Sequence, residues 1–188
     1  GVGGAFGGRE DLSMQIHAAL LALRTDRPVK IVYNREESFV GHIHRHPARM
    51  WCEHRATRDG KLVNVKMRIL LDGGAYASSS TAVASNAASF AVGPYRVDNA
   101  LIEATAVYTN NPPCGAMRGF GAVQTCFAAE AQMDLLAAEL DIDPIEQRTW
   151  QHLQFEPLVN ARAHRFGPRR MLLDQNVGVQ YLQLLEIL

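Results

Sequence analysis

The amino-acid sequence predicts a mixed α/β domain in which helices pack on a sheet that contains an antiparallel pair of strands. Helix-like and strand-like hydrophobic patterns are interspersed along the 188 residues. Arg58-Asp59-Gly60 joins two strand-like runs, and an Asp-Gly step at such a place is typical of a hairpin turn. We expect a partial domain over residues 1–154, an irregular connection over 155–175 and a truncated helix over 176–188.

The first predicted element is a helix that ends near Asp26. Its apolar residues recur at helical spacing, and they are Leu12, Ile16, Leu20 and Leu23. Arg27-Pro28 ends the run because proline restricts the residue before it and lacks an N–H. The apolar segment 29–33 then predicts a strand.

Three further strands and two further helices follow. Segments 50–57 and 62–71 are predicted to pair as the hairpin, and 101–108 predicts another strand. A helix is predicted over 122–140, and a further one begins at Asp143, where an acid at the cap precedes a proline. The apolar or small residues expected on the packed side of the 122–140 helix are Val123, Phe127, Ala131, Leu135 and Ala138.

Charge and cysteine content exclude several classes of partner. Lysine plus arginine and aspartate plus glutamate both number 19, so no global field favours nucleic acid or an anionic membrane. Segment 73–95 carries no charge, but its serines make it too polar to span a bilayer. Cys52, Cys114 and Cys126 form no C-x-x-C pair, which is typical of reduced thiols in a cytoplasmic protein.

Because Gly1 already lies inside a glycine-rich loop, we expect a segment upstream of it.

The first candidate site is a glycine-rich loop over residues 1–10. Five glycines surround Phe6 there, and glycine lets main-chain N–H groups approach a ligand that a Cβ would exclude. The spacing matches neither the dinucleotide fingerprint nor the P-loop. Phe6 and Glu10 are candidate site residues, and the alternative is a plain turn.

The second candidate site is segment 110–121, which leads from a predicted strand into the long helix. Arg118 supplies a fixed positive charge, and Gly119 and Gly121 let Phe120 project from a tightly curved backbone. The N-terminus of the helix favours an anion at this place. A structural turn with a satisfied arginine is the alternative.

Together, the two loops resemble a known family. Gly3-Gly4-Ala5-Phe6-Gly7-Gly8-Arg9-Glu10 and Met117-Arg118-Gly119-Phe120-Gly121-x-x-Gln124 are similar to two cofactor loops of the molybdenum-containing subunit of the xanthine dehydrogenase and aldehyde oxidase family. Segments 41–47 and 141–148 also resemble that family, so the likeness runs from residue 1 to about residue 150.

The resemblance implies a hydroxylase that uses a molybdenum pterin cofactor and a water-derived oxygen. It implies iron–sulfur and flavin centres in partner domains or subunits, and leaves open a cytosine dinucleotide form of the pterin. Phe6 and Arg118 would lie at the metal. The residues implied to bind the cofactor are Gly4, Phe6, Gly7, Gly8, Arg118 and Gly119.

The resemblance also implies substrate contacts at Glu10 and Phe120, since a glutamate at that position accompanies oxidation of purines and related N-heterocycles. A planar ring can pack on Phe120, and a carboxyl group can hydrogen-bond its nitrogen or oxygen. Asn86 stands where purine-oxidising relatives have an arginine, with Ser85 and Ser89 as neighbouring candidates. Xanthine, hypoxanthine and another azaheterocycle remain open as substrates.

The family's catalytic base has no counterpart in these 188 residues, so no catalytic residue is assigned and the chain alone is expected to be inactive. Two alternatives remain open. One is a non-catalytic module that keeps the fold and binds a partner, and the other is a nucleotide- or phosphate-binding domain. His42, His44 and His46 alternate along the chain, but without a neighbouring carboxylate cluster a structural role is favoured over a metal site.

Overall fold

A computed structural model describes residues 3–151 and 179–187. Within these residues four strands form one sheet in the order β3-β2-β1-β4. The strands are β1 (Ala48–Ala56), β2 (Leu62–Asp72), β3 (Asn99–Val107) and β4 (Val179–Ile187). The helices are α1 (Gln15–Thr25), α2 (Arg35–Gly41), α3 (Ser80–Phe90), α4 (Ala122–Leu140) and α5 (Pro144–Gln151). The predicted mixed α/β class is confirmed.

The predicted hairpin is formed by β1 and β2, which pair antiparallel with Ala48 opposite Leu71. Gly60 closes the turn with φ of 89°, a conformation that glycine adopts without strain. Thr57 and Lys61 add main-chain and side-chain hydrogen bonds across it. This hairpin was predictable because its turn chemistry lies entirely in neighbouring residues.

The sheet is mixed because β3 pairs with β2 in parallel, from Asn64 opposite Asn99 to Asp72 opposite Val107. Two parallel neighbours need a crossover, and α3 forms part of it. The strand predicted at 101–108 is therefore confirmed, within two residues at its start. No helix of the described ranges is long and apolar enough to cross a membrane.

The end of the chain contradicts a prediction. A truncated helix was expected over 176–188, but Val179–Ile187 is β4, antiparallel to β1 with Ala56 opposite Val179. The free edge of β1 carries main-chain donors and acceptors that need partners, and β4 supplies them. Pairing with β1 thus decides the structure of this segment. The predicted irregular connection at 155–175 lies outside the described residues.

The core lies between one face of the sheet and the helices α3 and α4. Alternate residues of β1 point into it, as a half-buried strand requires. The predicted packing side of α4 is wrong, since Val123 and Phe127 are 49% and 57% exposed. The buried residues of α4 are Gln124, Thr125, Ala128, Ala129, Gln132, Met133, Leu136 and Ala137. The small alanines allow α4 to approach α3 and β1 closely.

The N-terminal region also differs from expectation. The predicted helix is present as α1, but it buries none of its residues, and Leu23 is 82% exposed. Segment 29–33 forms no strand and leads instead into α2, whose capping box joins Asn34 and Glu37. Apolar content predicted a strand there, yet no sheet edge of the described residues pairs with it.

The C-terminal helix α5 begins as predicted. The Asp143 carboxylate accepts hydrogen bonds from the N–H groups of Ile145 and Glu146, at 2.8 and 3.0 Å. Arg148 then ties α5 to α4 through Glu130 and Asp134, both at 2.7 Å. The described part of the domain is thus closed at this end by an ion-pair network.

Candidate functional site

The first glycine-rich loop has an unusual backbone. Phe6 has φ of 51°, between Gly4 at 124° and Gly7 at 89°. A bulky residue at positive φ is uncommon, costs free energy and is concentrated at functional sites. Phe6 is nevertheless 65% exposed, so the strain is not the result of burying its ring. The loop therefore presents an aromatic side chain and main-chain groups at the surface.

The second loop repeats this backbone. Phe120 has φ of 49°, between Gly119 at 89° and Gly121 at 95°. Its N–H donates to the Met117 carbonyl at 2.7 Å, and the N–H of Ala122 donates to the Gly119 carbonyl at 2.9 Å. In both loops a phenylalanine thus has a left-handed backbone conformation, with glycines at positive φ on either side.

The fold brings the two loops into direct contact. A Cβ on Gly7 would lie 2.8 Å from the main-chain carbon of Ala116 and 3.0 Å from the Met117 nitrogen. Gly8 is buried beside the ring of His42, where a Cβ would lie 2.9 Å from Cε1. Residues separated by more than a hundred positions therefore form one surface, and Gly7 is required for their close approach.

The second loop also rests on α3. A Cβ on Gly121 would collide with the Val83 carbonyl and lie 3.1 Å from the Ala87 nitrogen. The Asn86 amide donates to the Phe120 carbonyl at 2.7 Å. Asn86, expected from the resemblance to contact substrate, therefore has its amide nitrogen directed at the loop that carries Phe120.

Arg45 contributes a contact that the sequence did not predict. Its Nη2 donates to the Arg118 carbonyl at 2.5 Å, although 73 residues separate the two. Its Nη1 is buried and has no hydrogen-bond partner among the described residues. The only sequence signal was the occurrence of Arg45 in a segment that resembles the family.

Beneath the loops, His46 is buried and structural. Its Nε2 lies 2.8 Å from the Ser80 Oγ, and its carbonyl accepts a hydrogen bond from Gln124 at 3.1 Å. Burial lowers the pKa of His46, and the charge of Asp72 only partly opposes that effect. The neutral imidazole therefore links the start of β1 to α3, which carries Asn86.

The remaining predicted residues, Glu10 and Arg118, have exposed side chains at the surface of the two loops. Glu10 follows a turn in which its N–H donates to the Gly7 carbonyl at 3.3 Å. The next residue, Asp11, accepts a hydrogen bond from Ser78 at 2.5 Å, which ties the end of the first loop to the segment before α3. Opposite charges are thus available on adjoining loops.

Comparison with known proteins shows the family of the chain. The profile of a domain family described as the molybdopterin cofactor-binding domain matches residues 1–150. The chain belongs to this family. Its expected membership of the xanthine dehydrogenase and aldehyde oxidase family is confirmed by relatives and solved structures.

Two curated relatives cover most of the chain. It is 49% identical over 180 residues to the nicotinate dehydrogenase large molybdopterin subunit of Eubacterium barkeri, a match that covers 94% of the chain and 40% of that relative. It is 44% identical over 167 residues to a probable xanthine dehydrogenase subunit of Bacillus subtilis, covering 89% and 22%. The chain thus spans less than half the length of either relative.

Solved structures share the fold. The aldehyde oxidoreductase from Desulfovibrio gigas matches with a TM-score of 0.78 and 31% identity, over 82% of this chain and 17% of its own. Quinoline 2-oxidoreductase from Pseudomonas putida 86 matches with a TM-score of 0.74 and 30% identity, over 82% and 20%. Molybdopterin-binding domains of this family are therefore the structural neighbours of the chain.

The residues of the site fit a phosphate-bearing pterin cofactor. Such a group is anionic, and the second loop offers it the exposed guanidinium of Arg118, beside Arg45, whose buried Nη1 has no partner among the described residues. Gly4 and Gly119 are exposed and carry no side chain of their own, and the Phe6 ring and the Val123 side chain lie against them. The donor set therefore agrees with the family.

Proposed function

We propose that this chain forms the molybdenum-cofactor part of a xanthine dehydrogenase-like hydroxylase that oxidises purines or related N-heterocycles. The observation that carries the proposal is the contact of Gly7 with Ala116, which joins the two loops that resemble cofactor loops of the family. The names of three relatives support the substrate class. Nicotinate, xanthine and quinoline are all rings that contain nitrogen.

In this proposal the main chain and the charged groups of the two loops hold the cofactor. The cofactor would approach the main chain closely at Gly4, Gly7, Gly8 and Gly119. Phe6 and Arg118 would lie at the metal. When bound, the molybdenum cofactor would supply the redox chemistry by which a substrate C–H becomes C–OH with an oxygen from water, two protons are released and two electrons pass to iron–sulfur and flavin partners. We expect the enzyme in the cytoplasm. The cytosine dinucleotide form of the pterin is one option for this site.

The substrate would lie at the exposed surface of the loops. Phe120 is half-buried against the core, and the exposed part of its ring would contact a planar heterocycle, while Asn86 holds its backbone. The exposed Glu10 can accept a hydrogen bond from a ring N–H, or donate one when protonated. These groups bind and orient the substrate, while the catalytic base is supplied from outside the 188 residues.

The first test measures the molybdenum-to-protein ratio of the complex isolated from its native cells, with iron and flavin measured on the same sample. We expect about one molybdenum per chain, because the protein would bind one cofactor, which carries the chemistry. Reproducible absence of molybdenum would overturn the hydroxylase proposal and favour a module that binds a partner.

The second test concerns substrate binding by Glu10. In the complex, Glu10→Gln is expected to lower kcat/KM for hypoxanthine or nicotinate by about tenfold or more, since a lost charge-assisted hydrogen bond costs about 1.5–3 kcal/mol. Glu36→Gln, an exposed glutamate on α2, is the matched control. Equal kcat/KM values in both variants would remove Glu10 from the proposed substrate site.

A further inference from the structure

The second loop holds an energetically unfavourable backbone. Gly119, Phe120 and Gly121 all have positive φ, and Phe120 has a side chain that disfavours this conformation. Such a conformation persists only when its surroundings hold it in place. The loop's own hydrogen bonds, from Phe120 to Met117 and from Ala122 to Gly119, account for two turns but leave the Arg118 and Phe120 carbonyls to other partners.

Both carbonyls are held by side chains from distant segments. Arg45, three residues before β1, donates to the Arg118 carbonyl at 2.5 Å. Asn86, on α3, donates to the Phe120 carbonyl at 2.7 Å. Because the two donors come from different elements, the loop cannot rotate about one anchor without breaking the other.

The Arg45 contact differs from the Asn86 contact in that its donor is charged. A hydrogen bond from a charged guanidinium is shorter and about twice as strong as one between neutral groups. No ion pair of Arg45 occurs among the described residues, so its charge is not neutralised by a described carboxylate. The Arg45 guanidinium therefore places a positive charge next to the Arg118 carbonyl. The side chain of Arg118 is proposed to lie at the metal.

We propose that Arg45 is a positioning residue of the cofactor site, which fixes the Arg118 backbone and thereby sets the position of the Arg118 and Phe120 side chains. The inference rests on the proposed function for its catalytic consequence. Its structural part, the restraint of the loop, stands on the Arg45 contact alone. Arg45 acts through Arg118 and is not itself a catalytic residue.

The test uses the complete enzyme complex with Arg45→Gln, Arg45→Lys and the control Arg58→Gln. Arg58 is exposed in the β1–β2 turn, far along the chain from both loops. Hydrogen exchange of the Phe120 and Ala122 amides reports on the loop whether or not molybdenum is bound. Molybdenum content, and kcat and KM measured separately, report on the site.

For Arg45→Gln we expect loop amides to exchange about tenfold faster while β1 and β2 amides are unchanged, because loss of one charged hydrogen bond frees the loop locally. We expect kcat to fall more than KM rises, with partial rescue in Arg45→Lys, which keeps a cationic donor. Should Arg45→Gln fail to fold, the Arg45→Lys exchange rates decide the question.

Two outcomes would overturn the inference. One is loop exchange in both Arg45 variants equal to that of Arg58→Gln, and the other is faster exchange spread evenly over the sheet. A wild-type complex without molybdenum would refute the proposed function, whereas the exchange result would still decide whether Arg45 restrains the loop. The two failures are therefore distinguishable.

Discussion

Replacement of Gly7 by alanine should separate the two loops of the site. The added Cβ would lie 2.8 Å from the Ala116 carbon, a distance that real Cβ contacts essentially never show. The neighbour is main chain, so it cannot rotate away as a flexible side chain would. Gly7 also has φ of 89°, which alanine adopts only with strain. Both effects act on the same contact between the loops.

The two contributions can be estimated separately. A left-handed conformation costs an L-residue about 1–2 kcal/mol, and overpacking that forces the backbone to shift costs about 1–3 kcal/mol. Gly7→Ala should therefore lower the free energy of unfolding by about 2–5 kcal/mol if the loops stay together. If the first loop instead moves away, the loss of stability is smaller and the molybdenum content falls.

The assay compares Gly7→Ala with Gly3→Ala in the same loop. A Cβ on Gly3 would have nothing within 4 Å, so this variant controls for glycine replacement itself. Thermal or denaturant unfolding and the molybdenum-to-protein ratio are measured for both. If Gly7→Ala matched Gly3→Ala in stability and in molybdenum content, the loop contact would not be essential and the reasoning would be wrong.

Two further predictions concern stability. Burial lowers the pKa of His54 from 6.5 to about 4, so the unfolded chain binds more protons than the folded chain at acidic pH. The contribution of His54 to the free energy of unfolding is therefore complete above about pH 6.5 and falls by about 2 kcal/mol by pH 5. His54→Gln should remove this pH dependence, the exposed His17→Gln should not, and equal pH profiles would refute the assignment. Tyr95→Phe should cost about 1–2 kcal/mol in denaturant unfolding, because its hydroxyl donates to Glu130 at 2.6 Å. The 70% exposed Tyr76→Phe is the control, and an equal small effect in both would contradict the prediction.

The unusual backbone of the two candidate loops could be predicted from the sequence because each loop is a local pattern. The glycines around Phe6 and Phe120 indicated a backbone conformation that residues with side chains rarely adopt. Both phenylalanines and their neighbouring glycines have positive φ. Arg45 could not be assigned a role from its neighbours, because its partner carbonyl belongs to Arg118. The role of Asn86 in holding Phe120 depended likewise on the docking of α3 against the second loop.

The sequence by itself determined the elements whose signals are short in range, such as the Asp59-Gly60 hairpin turn and the Asp143 cap of α5. Only the tertiary structure decided which helix face is packed and which edge of β1 is paired. Leu23 satisfies a helical pattern and remains exposed, while Val179–Ile187, expected in a truncated helix, forms a strand. The reason is that a turn or cap is stabilised by residues beside it, whereas burial and sheet pairing are stabilised by surfaces that distant parts of the chain must bring together.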